Sequence, residues 1–110
     1  MGLNTAYAEL EPSRAEVDAL EEATLIEFGS PECGHCRAAQ PLIAQAFAHH
    51  PRVRHLKIED GRGRRLGRSF AVKLWPTLIF LRLGKEVERL VRPTDASAIA
   101  RALTGIDVAP

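Results

Sequence analysis

"PECGHC", residues 31 to 36, holds both cysteines of the 110-residue chain, Cys33 and Cys36, with Gly34 and His35 between them. Two sulfurs at this spacing suit a redox couple, half of a metal site or a structural staple. The flanking residues decide what kind of backbone carries them. Upstream, "ATLIEFG" (23 to 29) reads as a buried strand, stopped by Gly29-Ser30-Pro31. Downstream, Ala39, Leu42, Ile43, Ala46 and Phe47 recur at helical spacing. That predicts a helix from about 34 to 49, with Pro41 inside the pattern and kinking it.

A sharp strand-to-helix turn leaves Cys33 at the N-terminus of that helix. Free backbone N–H groups and the helix dipole favour negative charge there. The thiolate is the nucleophile, so Cys33 is the candidate attacking sulfur. Cys36 lies roughly one turn on, close enough to attack a mixed disulfide and release whatever Cys33 has captured. Gly34 is expected to permit the tight turn. His35 adds a group that can be cationic and favours the thiolate further, whereas the Glu32 carboxylate pulls the other way.

The other uses of the pair fit less well. A staple closing so small a loop constrains the unfolded chain little. Structural zinc wants four ligands, and the chain has no second cysteine pair. His49, His50 and His55 complete a zinc site only by converging in space. No metal or organic cofactor is expected.

The remaining elements follow from local signals. Residues 1 to 12 are read as an N-terminal extension, or as a short first strand through "TAYAEL". Ser13 and Glu16 form a capping box opening a helix from about 13 to 22. "VRHLKIE" (53 to 59) alternates as a strand, and "DGRGRRLGRSFAV" reads as a loop with a weak helix. "TLIFLRL" (77 to 83), a Gly84-Lys85 turn and "EVERLVR" predict a hairpin. A last helix runs from about 95 to 104, capped by Thr94 or Asp95 and stopped by Gly105, with 105 to 110 as a tail. The order implies an α/β fold with a mixed central sheet and helices on both faces, one domain over residues 1 to 110.

Lys plus Arg number 15 and Asp plus Glu 14, so no global field draws the chain to nucleic acid or an anionic membrane. No apolar run reaches the length of a membrane span, and the first residues lack a secretory signal. The expectation is a soluble cytoplasmic monomer that binds neither nucleic acid nor membrane. Arg62, Arg64, Arg65, Arg68 and Lys73 form the one charge asymmetry, read as a solvated loop or a docking surface for an acidic protein.

"IEFGSPECGHCRAAQP", "LKIED" and "WPTLIFLRLGKEVERLV" together resemble the thioredoxin family, in the right order and across about residues 13 to 104. The CGHC tetrad is similar to that of the protein disulfide isomerase branch. The resemblance implies a thioredoxin fold and thiol–disulfide exchange through Cys33 and Cys36. The substrates would be proteins carrying disulfides or dithiols, and a thioredoxin-reductase-like donor would supply electrons. It implies a cis Trp75–Pro76 bond, with Pro76 and Thr77 packed against the cysteines and offering backbone groups to an extended substrate. It also makes Glu27 a buried acid and Lys57 its buried partner, together handling the proton of Cys36.

Three positions depart from the family. Glu32 stands where tryptophan usually precedes the first cysteine, Trp75 where a small or aliphatic residue precedes the cis-proline, and Arg92 where a glycine usually follows the last strand. Trp75 is expected to cover part of the face the absent tryptophan leaves, altering the substrate groove. Two other functions are weighed against a reductase: a binding or chaperone-like module, and an isomerase or oxidase of an oxidising compartment.

Overall fold

The computed structural model describes residues 2–108. Eight elements follow one another: α1 (Arg14–Asp18), β1 (Thr24–Gly29), α2 (Gly34–Phe47), β2 (Arg54–Glu59), α3 (Arg65–Ser69), β3 (Thr77–Arg82), β4 (Lys85–Val91) and α4 (Ala96–Ile106). The four strands lie in the order β2-β1-β3-β4. β1 and β2 are parallel, whereas β3 runs antiparallel to both β1 and β4.

β1 is buried at all six positions because it is central and covered on both faces. Its alternation separates two cores. Leu25 packs with Ile43, Phe47, Ile99 and Leu103 of α2 and α4. Ile26 and Phe28 pack with Val17, Leu66 and Phe70 of and beside α1 and α3. Glu27 and Gly29 share the α2 side with Leu25, and this places the acid beneath the helix that carries the cysteines.

Local chemistry accounts for most element ends. The Ser13–Glu16 capping box is formed in both directions. Asp95, not Thr94, caps α4 by accepting from the Ala98 N–H at 2.8 Å. Gly84 lies in the left-handed region (φ 75°), and a Cβ there would overlap the carbonyl of Asp18, so the hairpin turn packs against the end of α1 only as glycine. No helix is long and apolar enough to cross a membrane among the described residues.

Three expectations need correction. α1 ends at Asp18, short of residue 22. α4 runs through Gly105 to Ile106, which is fully buried in the α2–α4 core. Burying that side chain is worth roughly 2 kcal/mol, more than the ~1 kcal/mol a helical glycine costs. Of the expected tail, residues 109 and 110 lie outside the described residues. "TAYAEL" forms no strand either. The segment instead runs along the outer edge of β2, held by Gly2 N to Val53 O and Ala8 N to Lys57 O, both 2.9 Å. Between those points its polar groups serve side chains: the Asn4 amide N–H bonds the ring of His55, and the Thr5 carbonyl accepts from Lys57.

Candidate active site

Cys33 is the N-cap of α2, in extended conformation (φ −83°, ψ 116°), and its sulfur accepts the Cys36 backbone N–H at 3.2 Å. A sulfur takes the place that a serine or aspartate oxygen usually fills. Cys33 is partly exposed, whereas Cys36 is 1% exposed, and both are free thiols. Burial, then the thiol's own hydrogen bond to the Cys33 side chain, push the Cys36 thiol up to about 12. One sulfur is therefore partly exposed at the start of α2, and the other waits behind it as a neutral thiol.

The first turn of α2 does not require Gly34. A Cβ there would meet only Nη2 of Arg37, at 3.8 Å. Gly29 is the glycine the site needs: a Cβ on it would stand 2.6 Å from Sγ of Cys36 and 3.1 Å from Oη of Tyr7. Glu32 and His35 are both exposed, flanking Cys33 on the outer surface.

The Trp75–Pro76 bond is cis, and Pro76 and Thr77 are buried. The Trp75 carbonyl meets Cys33, with Sγ donating to it at 4.0 Å. The indole N–H donates to Asp60 Oδ2 at 2.9 Å, anchoring the ring on the loop that follows β2. Arg92 occupies the left-handed region (φ 50°), where glycine is the easier residue. Its Nε donates to the Trp75 carbonyl at 2.8 Å and its N–H to the Pro76 carbonyl at 2.9 Å.

Behind the sulfurs lies a buried polar network. The register sets Glu27 opposite Lys57, and both side chains are buried. Among the described residues no direct ion pair or hydrogen bond joins the two. Glu27 Oε1 accepts from His55 Nε2 at 2.9 Å and Oε2 from the Gln40 amide at 2.8 Å. The Asn4 backbone N–H donates to His55 Nδ1 at 2.8 Å, which leaves the ring proton on Nε2, aimed at the acid. Lys57 donates to Gln40 Oε1 at 2.9 Å and to the Thr5 carbonyl at 3.1 Å. The same Gln40 amide also donates to the Cys36 carbonyl at 2.8 Å. The network thus joins charge, strand and helix at the second cysteine.

Cys33, Cys36, Pro76 and Thr77 gather at one end of the sheet, with Glu27 and Lys57 in the layer beneath. Sequence reasoning missed Gln40, His55, Tyr7 and Asp60. Gln40 had a signal, standing four residues after Cys36 and hence on the same helix face. His55 had one too, since strand alternation puts it on the face of Lys57. Tyr7 had none. Among the described residues no group of three or more His, Cys, Asp or Glu side chains is placed to hold a metal ion.

The chain's relatives carry the same frame. The family model described as Thioredoxin matches residues 7–105. The chain is similar to a thioredoxin of Chlamydia trachomatis, 32% identical over 80 residues that are 73% of this chain and 78% of the relative. It is also similar to human protein disulfide-isomerase A2, 37% identical over 87 residues, but spans only 17% of that protein. In structure it matches thioredoxin 2 from Pseudomonas aeruginosa PAO1 in its reduced form, with a TM-score of 0.84 and 56% identity, covering 94% of this chain and 96% of the other. With Cys33 and Cys36 forming the C-x-x-C pair of a redox-active site, the chain belongs to the thioredoxin family and is a thiol–disulfide oxidoreductase acting on disulfide-containing proteins.

Proposed function

We propose that Cys33 attacks the substrate disulfide as a thiolate and that Cys36 resolves the mixed disulfide. The reduced substrate leaves, and Cys33–Cys36 is left oxidised. The observation that carries this order is the contrast between the two sulfurs: one partly exposed at the start of α2, the other buried behind it. Glu27, held by His55 and Gln40, takes up the proton of Cys36. Lys57 acts on the acid through Gln40. His35 supports the Cys33 thiolate. Pro76, Trp75 and Thr77 shape the edge that receives an extended substrate, and Gly34 and Glu32 border it.

The chain works as a cytoplasmic monomer, without metal or organic cofactor, recharged by a thioredoxin-reductase-like donor. Its likeness to bacterial thioredoxins supports this direction of electron flow. Catalytic reduction of a disulfide-containing test protein, coupled to a thioredoxin reductase, tests it. The parent turns over, Cys33→Ser does not, and Cys36→Ser accumulates as a mixed disulfide. Parent-like turnover by Cys33→Ser would overturn the assignment.

The CGHC tetrad and the likeness to protein disulfide-isomerase A2 favour a second reading, isomerase or oxidase work. The reduction potential of the Cys33–Cys36 pair against glutathione separates the two. A strongly reducing value supports the reductase, and an intermediate value supports the other.

A further inference from the structure

Tyr7 is the one tyrosine of the chain, and the N-terminal segment delivers it to the buried sulfur. Its hydroxyl and Sγ of Cys36 crowd the same bare side of Gly29, at 3.1 and 2.6 Å from where a Cβ would stand. The ring is fixed in place. Lys57 Nζ lies 4.8 Å from its centroid, and Ala8, the next residue, is tied to the Lys57 carbonyl. A cavity of about 140 Å³, with room for water, is lined by Tyr7, Ser30, Cys36, Gln40 and Lys57 among others. The Ser30 backbone N–H bonds the Cys36 sulfur and favours its anion, but no side chain already described donates to it. Gln40 is engaged with Glu27 and the Cys36 carbonyl, and Lys57 with Gln40 and Thr5.

We propose that the Tyr7 hydroxyl is a catalytic group of the resolving step, donating a hydrogen bond, directly or through one water, to the Cys36 sulfur as it becomes a thiolate. This rests on Cys36 being the resolving cysteine. In that step Cys36 gives up its proton, and an electron pair on its sulfur forms the bond to Cys33. The bond from Cys33 to the substrate sulfur breaks. The substrate sulfur leaves with that bond's electron pair and is then protonated. Two thiols of this chain become one disulfide as the substrate disulfide becomes two thiols. The charge passing through Cys36 develops where water is scarce, so one aimed O–H matters more than it would in solvent. Burial, then the nearby Cys36 and Glu27, push the phenol well above its ordinary value, so it stays a donor throughout and is not the base.

The test uses single-turnover reaction of the reduced protein with the chromogenic disulfide 5,5′-dithiobis(2-nitrobenzoate). Thionitrobenzoate is released first by Cys33 attack and again by Cys36 resolution. Tyr7→Phe keeps the ring under Lys57 and removes only the oxygen. The first phase should match the parent, which also serves as the folding control. The second should slow about tenfold, the scale of one hydrogen bond to a charged group, with its pH profile displaced upward. A second phase with parent-like rate and pH profile overturns the role of Tyr7. Loss of the second phase in the parent itself, or its survival in Cys36→Ser, overturns instead the assignment of Cys36 as resolving cysteine on which the proposal stands.

Discussion

Glu27 and Lys57 face each other across the parallel β1–β2 pair, yet the Gln40 amide mediates between them, its NH₂ on the carboxylate and its oxygen on the ammonium. An amide can do this because it carries donor and acceptor on one plane. A hydrocarbon of similar size cannot. Gln40→Leu leaves the acid with one partner and the lysine with one, and should destabilise the fold by about 2–4 kcal/mol. Urea unfolding at pH 7 checks this, and a loss under half a kilocalorie would mean that the network contributes little.

Brief iodoacetamide treatment at neutral pH should alkylate Cys33 and spare Cys36. Only Cys33 is accessible, and Cys36, pushed up to about 12, remains a protonated thiol there. Peptide mapping by mass spectrometry reads the result. Equal labelling of both would remove the distinction between attacking and resolving sulfur.

The reduced protein should lose stability at alkaline pH. Cys36 in the unfolded chain ionises near its ordinary 9.0, but in the fold only near 12. Its contribution is therefore fully present below about 9 and fades as pH rises toward 12, by at most about 1.4 kcal/mol per unit. The Tyr7 phenol, also raised, adds in the same direction above its ordinary 10.0. Unfolding midpoints of the reduced parent and of Cys36→Ala across this range give the comparison. Identical slopes would contradict the linkage.

Gly29→Ala forces a methyl group against the Cys36 sulfur and the Tyr7 hydroxyl. Overpacking of this kind costs about 1–3 kcal/mol. Because the displaced atoms are the reacting ones, resolution should suffer more than capture of substrate. Stopped-flow release from a preformed mixed disulfide reports it, and unchanged kinetics would show that the sulfur has space to move.

Trp75 is the only tryptophan, so emission reports one ring. Its carbonyl touches Cys33 and its indole is bonded to Asp60. Oxidation of the cysteine pair should change the emission, and Asp60→Ala should shift the spectrum in both redox states. A spectrum blind to both changes would place the ring elsewhere.

The fold was legible in the chain because its signals were local and mutually consistent: the Ser13–Glu16 box, the apolar run through Phe28, the helical stripe from Ala39 to Phe47, and the turn at Gly84. The two cysteines were legible from spacing and position. What stayed hidden was set by long-range packing. Residues 5 to 10 looked strand-like, but the Thr5 carbonyl is taken by the Lys57 side chain and the backbone bond from Ala8 to Lys57 is not continued into a ladder. His55 and Lys57 blurred the alternation of β2 because polar groups occupy core-facing positions there, and only the presence of Glu27 and Gln40 across the gap makes that tolerable. Tyr7 lies 29 residues from Cys36 in sequence, with nothing local to announce it.

The two margins of the sheet are guarded in different ways. β4 protects itself with Lys85, Glu86, Glu88 and Arg89 along its length. β2 relies on the leading segment as a sheath, fastened at Gly2 and Ala8. The ribbon that positions the phenol therefore also hinders edge-to-edge self-association, and trimming residues 2 to 8 should make light scattering rise as catalysis falls.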